Sequence, residues 1–135
     1  MEKQIIENTL KALQTNNFDV YRAENTQAAR NIFFSEIFGK LCPATVSWGD
    51  SETMKACHIL EELEKNTEIA LIHTFGKHMS RAQKIYQRRQ ALQADLFLAG
   101  TNALTQKGQL VNLDMIGNRV AGITFGPKNV VLFIG

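Results

Sequence analysis

The chain has 135 residues, 44% hydrophobic and 21% charged, with 15 basic residues against 13 acidic ones for a formal net charge of +2. That length fits one domain able to bury roughly 65–70% of its unfolded surface, and so balanced a charge argues against a nucleic-acid partner. No apolar run approaches the ~18–20 residues that a membrane span needs. The lone thiols Cys42 and Cys57, with no CxxC pair and no secretory segment, suit a reducing cytoplasm.

Taken in chain order, residues 3–15 place Ile5, Ile6, Leu10 and Leu13 at helical spacing, and Asn16-Asn17 end that helix. FDVYRA (18–23) alternates and predicts a strand. TQAARNIFFSEIF (26–38) returns to helical spacing with Gly39 as its C-cap. ATVSW (44–48) is a short β-branched strand after Pro43. GDSETMKACHILEELEK (49–65) turns sharply and then runs as one helix or two short ones. EIALIHTF (68–75) is a near-continuous apolar strand of the kind buried on both faces.

MSRAQKIYQRRQALQ (79–93) predicts a helix with Ser80 as N-cap, and its Arg88-Arg89 doublet reads as a solvated face. ADLFLAG (94–100) is a buried strand. NALTQKGQLVNLD (102–114) is a hairpin turning at Gln106-Lys107-Gly108, and GNRVAGITFG (117–126) opens with turn residues before a short helix. NVVLFIG (129–135) reads as a central strand. Strands alternating with helices define an α/β class with a mainly parallel sheet flanked by helices and a β-hairpin insertion. An uncovered terminal strand is an aggregation hazard, so the chain is expected to be one domain that continues beyond its last residue here.

Ligands of open α/β sheets bind beyond the carboxyl ends of the strands, which selects three loops. In WGDSET, Gly49 permits a tight turn, Ser51 and Thr53 offer hydroxyls, and the amides of residues 50–53 suit phosphate or carboxylate. Gly-Asp-Ser before a helix is equally an ordinary cap, and Asp50 opposes an anion. In GTNA (100–103), Asn102 either bonds a ligand or closes an Asx turn. In DMIGNR, Asp114 and Arg119 either pair across Gly117-Asn118, or Arg119 presents its planar fork to an anion from the start of a helix. His58, His73 and His78 match no metal-ligand spacing, and His73 reads as a core residue. Cys57 reads as buried and inert, and Trp48, Tyr86 and the phenylalanines as core.

The stretch from Gly100 to Gly135 carries a further pattern: Thr101-Asn102-Ala103, Lys107-Gly108 at a hairpin turn, Leu110-Val111-Asn112 with Asp114, Gly117 to Ala121, and Phe125 to Lys128. It resembles the C-terminal half of the lactate-utilisation (LUD) domain family, most closely a small single-domain branch rather than the iron–sulfur partner protein. VSWGDSETM (46–54) is similar to that family's glycine-rich Gly-Ser-x-Thr-Leu loop, departing at Trp48, Asp50 and Met54. The resemblance implies a fold like that of ribose-5-phosphate isomerase, glucosamine-phosphate deaminase and the CoA transferases, continuation into at least one more helix, and binding of a small anionic metabolite at the loops above.

Three functions follow as expectations. The first is a metabolite-binding or accessory protein in oxidation of L-lactate to pyruvate, holding no cofactor itself and acting with an iron–sulfur partner protein. The second is an enzyme on a phosphorylated or CoA-linked small molecule, with Asp114 as candidate general base. In the third, Asn102, Asp114 and Arg119 are purely structural. Homo-oligomerisation is left open by the sequence.

Overall fold

A computed structural model describes residues 2–135. Helix α1 (Glu2–Thr15) buries Leu13 and closes on Asn17 in the left-handed region (φ 63). There the Phe18 amide donates to the Leu13 carbonyl and the Asn17 amide to that of Gln14, a Schellman closure. The segment 18–23 joins no ladder, contrary to its alternation. Phe18 and Tyr21 stay exposed, and Arg22 ties the segment back to Glu7 of α1 at 2.7 Å. Alternation makes a strand only where a sheet edge accepts it, and this segment packs along a helix instead.

Asn25 caps α2 (Thr26–Ile32), accepting from the Ala28 amide at 2.8 Å. The chain then widens into a π-helical stretch, Phe33–Phe38, and ends with α3 (Gly39–Leu41). Gly39 is helical (φ −63) and does not cap; Cys42 takes the left-handed position (φ 43), directly before Pro43. The wider turn lets Phe33 meet the rings of Phe34, Phe38 and Phe133 at 4.9, 5.8 and 5.5 Å.

Strand β1 (Thr45–Trp48) leads into two short helices, α4 (Glu52–Ala56) and α5 (Ile59–Leu63), separated by His58 in the left-handed region (φ 51). Strand β2 (Ala70–Ile72) follows, then α6 (Arg81–Ala91), capped by a reciprocal Ser80–Gln83 box. Strand β3 (Leu96–Ala99) runs into a hairpin of β4 (Ala103–Leu104) and β5 (Leu110–Val111). Helix α7 (Asn118–Thr124) returns the chain to β6 (Asn129–Leu132).

The three long-range strand pairings are parallel, in the order β2-β1-β3-β6. The protein is therefore α/β, with a parallel four-stranded sheet flanked by helices and a separate antiparallel hairpin. Two strands sit differently from their sequence pattern. β2 is a three-residue edge strand with Ala70 exposed and Leu71 and Ile72 half-buried, packed toward opposite helical layers. β6 pairs only with β3 and is half-buried along its length, an edge and not a centre. Hydropathy reports burial of the side chain: Leu71 and Val131 pack toward one helical layer and Ile72, Val130 and Leu132 toward the other, so these edges carry apolar residues on both faces.

On one face of the sheet, Val46, Trp48, Leu96 and Leu98 pack against Met54, Ile59 and Leu63 of α4–α5 and against Phe33. On the other, Phe97 and Ala99 meet Ala91 of α6 and Ile123 of α7. Gly122 permits that second contact: a Cβ there would lie 2.9 Å from the Phe97 ring, so α7 seats against β3 only with glycine at this point.

The amino ends of the strands share one carboxylate. Asp95 Oδ2 accepts from the Ala44 amide, the Thr45 amide and the Thr45 hydroxyl, each at 3.0 Å, and Oδ1 accepts from Lys128. The Lys128 hydrogen bond, then those of Thr45, hold the Asp95 carboxyl down from 3.8 to about 2.

Because that carboxyl is more acidic folded than unfolded, its stabilisation is complete above its unfolded value near 3.8 and is lost as pH falls to about 2. Thermal unfolding across that window should show the decline, and Asp95→Asn should flatten it while lowering the melting temperature at neutral pH. Met54 is fully enclosed, so Met54→Ala should cost about 2–5 kcal/mol in urea unfolding.

Candidate functional site

The chain steps from β1 outward to β2, but from β3 outward to β6 in the opposite direction. The reversal lies between β1 and β3, where loops leaving the carboxyl ends of adjacent strands diverge and leave a crevice. A cleft of about 250 Å³ occupies this position, lined by residues 50–53 after β1, 100–102 after β3, Arg119 of α7, and 133–135 after β6.

Each wall has a local cause. The Gly49 amide donates to the Leu98 carbonyl at 2.8 Å, carrying the ladder one step past β1. Ser51 then turns inward to cap α4, its Oγ accepting from the Met54 amide at 3.2 Å, and is 8% exposed. Gly100 lies directly opposite, and a Cβ there would come within 2.7 Å of Ser51 Oγ. The two loops approach this closely only because position 100 lacks a side chain. At the mouth, Lys55 bridges Asp50 and Glu52, each at 2.7 Å; its hydrogen bond to Asp50, then that to Glu52, raises its pKa and holds the ammonium charged.

The third wall is a polar clamp. Arg119 Nε donates to Asp114 Oδ1 at 2.9 Å, and Nη2 lies 2.8 Å from the same oxygen. Asp114 Oδ2 accepts from the Val120 amide at 2.7 Å. Nη2 also donates to Asn102 Oδ1 and to the Leu113 carbonyl, while Asn102 Oδ1 accepts from the Leu113 amide at 3.0 Å. The side chains of Arg119 and Asp114 are only 13% and 9% exposed. Arg119 Nη1 is the least engaged donor, 3.4 Å from the Gly100 carbonyl. Thr101 Oγ1, also on the cleft wall, has the Val111 carbonyl and Asn112 Oδ1 in reach at 3.1 Å and the Ala103 carbonyl at 3.2 Å, and its one proton serves one of the three.

Of the residues singled out from sequence, Asp50, Ser51, Thr53, Asn102 and Arg119 converge on this cleft. Gly49 lies behind it, packed under the Arg119 side chain. Asp114 stands behind Arg119 with both oxygens bonded, Gly117 adopts the left-handed turn (φ 77) that starts α7, and Asn118 is that helix's first residue. Glu52, Gly100, Thr101 and the segment Phe133–Gly135 also line the cleft without having been singled out. The strand-end rule that selected the loops after β1 and β3 points equally to the residues after β6.

Other expectations change. His73 is exposed and stands edge-on to Trp48, 5.0 Å between ring centres, so it is not a core residue. His58 Nδ1 lies 3.1 Å from Glu61. Among the described residues no three His, Cys, Asp or Glu side chains group as metal ligands. Cys57 is buried, and burial pushes its thiol pKa up. Tyr86, Phe75 and Phe125 are exposed, at the ends or outer faces of their elements. Arg89 is solvated, whereas Arg88 is half-buried with Nε enclosed and unbonded. No described helix is long and apolar enough to cross a membrane.

Fold and cleft together define an α/β domain with a polar pocket at the carboxyl edge of a parallel sheet. The chain belongs to the LUD domain family, whose model matches residues 6–135. That family is associated with lactate utilisation. No curated protein and no solved structure gives a significant match.

Arg119 and Asp114 form a nearly enclosed pair, and removing one member strands the other. Arg119→Ala should cost about 3–5 kcal/mol in denaturant unfolding.

Proposed function

We propose that this protein is a metabolite-binding accessory component of L-lactate oxidation to pyruvate, taking a small carboxylate into the cleft between β1 and β3 and working with an iron–sulfur partner protein that carries the electrons. The observation that carries the reading is the convergence of three strand ends on one small space that presents hydroxyls, an amide and one edge of a guanidinium. A volume of about 250 Å³ corresponds to roughly eight waters at about 30 Å³ each, which suits a small acid.

In this reading the clamp is both structural and functional. Asp114 and Asn102 fix the plane of Arg119, and Nη1 is left to meet a carboxylate oxygen, beside the Thr101 and Ser51 hydroxyls. A preset guanidinium loses little freedom on binding. Lys55 offsets the charge of Asp50 and Glu52 at the mouth, which would otherwise repel an anion. Asp114 then serves to position Arg119 rather than to take a proton.

Thermal unfolding of the purified protein with L-lactate and with pyruvate tests the binding step. Ligand at 100 times its dissociation constant should add about 2.7 kcal/mol of stability, and Arg119→Lys, which keeps the charge but loses the planar fork, should reduce that gain. Melting curves that do not move with either acid would overturn the reading. The partnership is checked by affinity purification from the source organism with iron analysis, together with growth of a deletion strain on lactate. Recovery of an iron–sulfur protein and loss of growth are the expected results.

A further inference from the structure

We infer that the carboxyl edge of the sheet holds a second, apolar subsite beside the polar cleft, so that besides lactate the protein takes 2-hydroxy or 2-oxo acids with larger side chains, and takes them more tightly. The inference rests on the cleft being the carboxylate site, as proposed above.

The turn leaving β1 separates two hollows. On its β3 side lies the polar cleft. On its β2 side lies a hollow of about 290 Å³, walled by Trp48, Met54, Leu60 and Phe75, with Lys55 and Asp50 beside them. Asp50 lines both spaces, so they are neighbours across one residue. Their chemistries differ: the first is lined by hydroxyl, amide and guanidinium groups with the Asp50 and Glu52 carboxylates at its mouth, the second mainly by hydrocarbon.

The apolar walls are held in place. Met54 is fully enclosed and Trp48 only 7% exposed, both fixed in the core beneath the hollow. His73 stands edge-on to the Trp48 ring at 82° and braces it. Phe75, just past β2, leaves 44% of its surface in water although its ring faces this space. The hollow is open to solvent on one side, and Leu60 and Phe75 offer a phenyl or branched alkyl group a hydrocarbon surface to lie against. Asp50, the residue shared by the two spaces, pairs with Lys55 of the second, and the two side chains are 68% and 52% exposed. Such a pair contributes little and swings aside at small cost.

A molecule with a carboxylate at one end and an apolar group at the other matches both hollows. Lactate fills only the first. Burying each additional methylene is worth about a fourfold gain in affinity.

Trp48 is the chain's single tryptophan, so its emission reports on the second hollow directly. The experiment titrates the full chain with L-lactate, 2-hydroxybutyrate, 2-hydroxyhexanoate and 3-phenyllactate, following both Trp48 fluorescence and thermal unfolding. Affinity should climb about fourfold per methylene, with a change in Trp48 emission for the longer acids. Phe75→Ala, a change at an exposed loop position that leaves the core intact, should flatten the climb. Equal affinity along the series, with lactate still bound, overturns the subsite and leaves the carboxylate cleft standing. A climb that persists in Phe75→Ala, or proceeds without any change in Trp48 emission, places the side chain elsewhere and also overturns it. Binding of none of the four acids removes the cleft reading and the subsite together.

Discussion

A parallel strand with all its side chains out of water requires a helical layer on each of its faces, and β3 imposes that requirement here. Leu96 and Leu98 point one way, Phe97 and Ala99 the other, and all four are buried. Parallel neighbours cannot be joined by tight hairpins, so each connection crosses over through a helix. The crossovers by α4–α5 and by α6 and α7 then cover opposite faces. The order β2-β1-β3-β6 opens the crevice where the two sets of connections part. The position of the cleft thus follows from the need to bury β3.

The two ends of the sheet are finished by different polar devices. At the amino end, Asp95 gathers the start of β1 and Lys128 just before β6 onto one exposed-side carboxylate. At the carboxyl end, the Arg119–Asp114–Asn102 clamp ties the hairpin root to α7 and is nearly enclosed. The first bonds mainly backbone and hydroxyl groups and organises strands. The second exhausts almost every donor of one guanidinium and leaves a single edge facing space.

Much of this was legible in the residues. LFLA at 96–99 could only be a buried strand, Ser80 with Gln83 announced a capped helix, and Lys107-Gly108 marked the hairpin turn. The loops after β1 and β3 were identifiable as cleft walls because strand-end geometry is general. What failed depended on partners distant in sequence. The alternation of 18–23 had no edge to join, and the apolar content of β2 and β6 could not distinguish an edge strand packed on both faces from a central one. Gly39 looked like a cap because glycine favours left-handed turns, but the π-helical stretch carried the helix past it to Cys42. The pairing of Asp114 with Arg119 was foreseeable from spacing; the addition of Asn102, from across the hairpin, was not.

The cleft's walls come from positions 50–53, 100–102, 119 and 133–135, the last of them reached only through β6. During synthesis from the ribosome, β1, β2 and β3 can begin to associate while this space still lacks a side. Until β6 pairs with β3, Phe133 has no place against Phe33 and the crevice stays unwalled. The crevice thereby exists only in chains whose sheet is complete, and a nascent or partly unfolded copy lacks it.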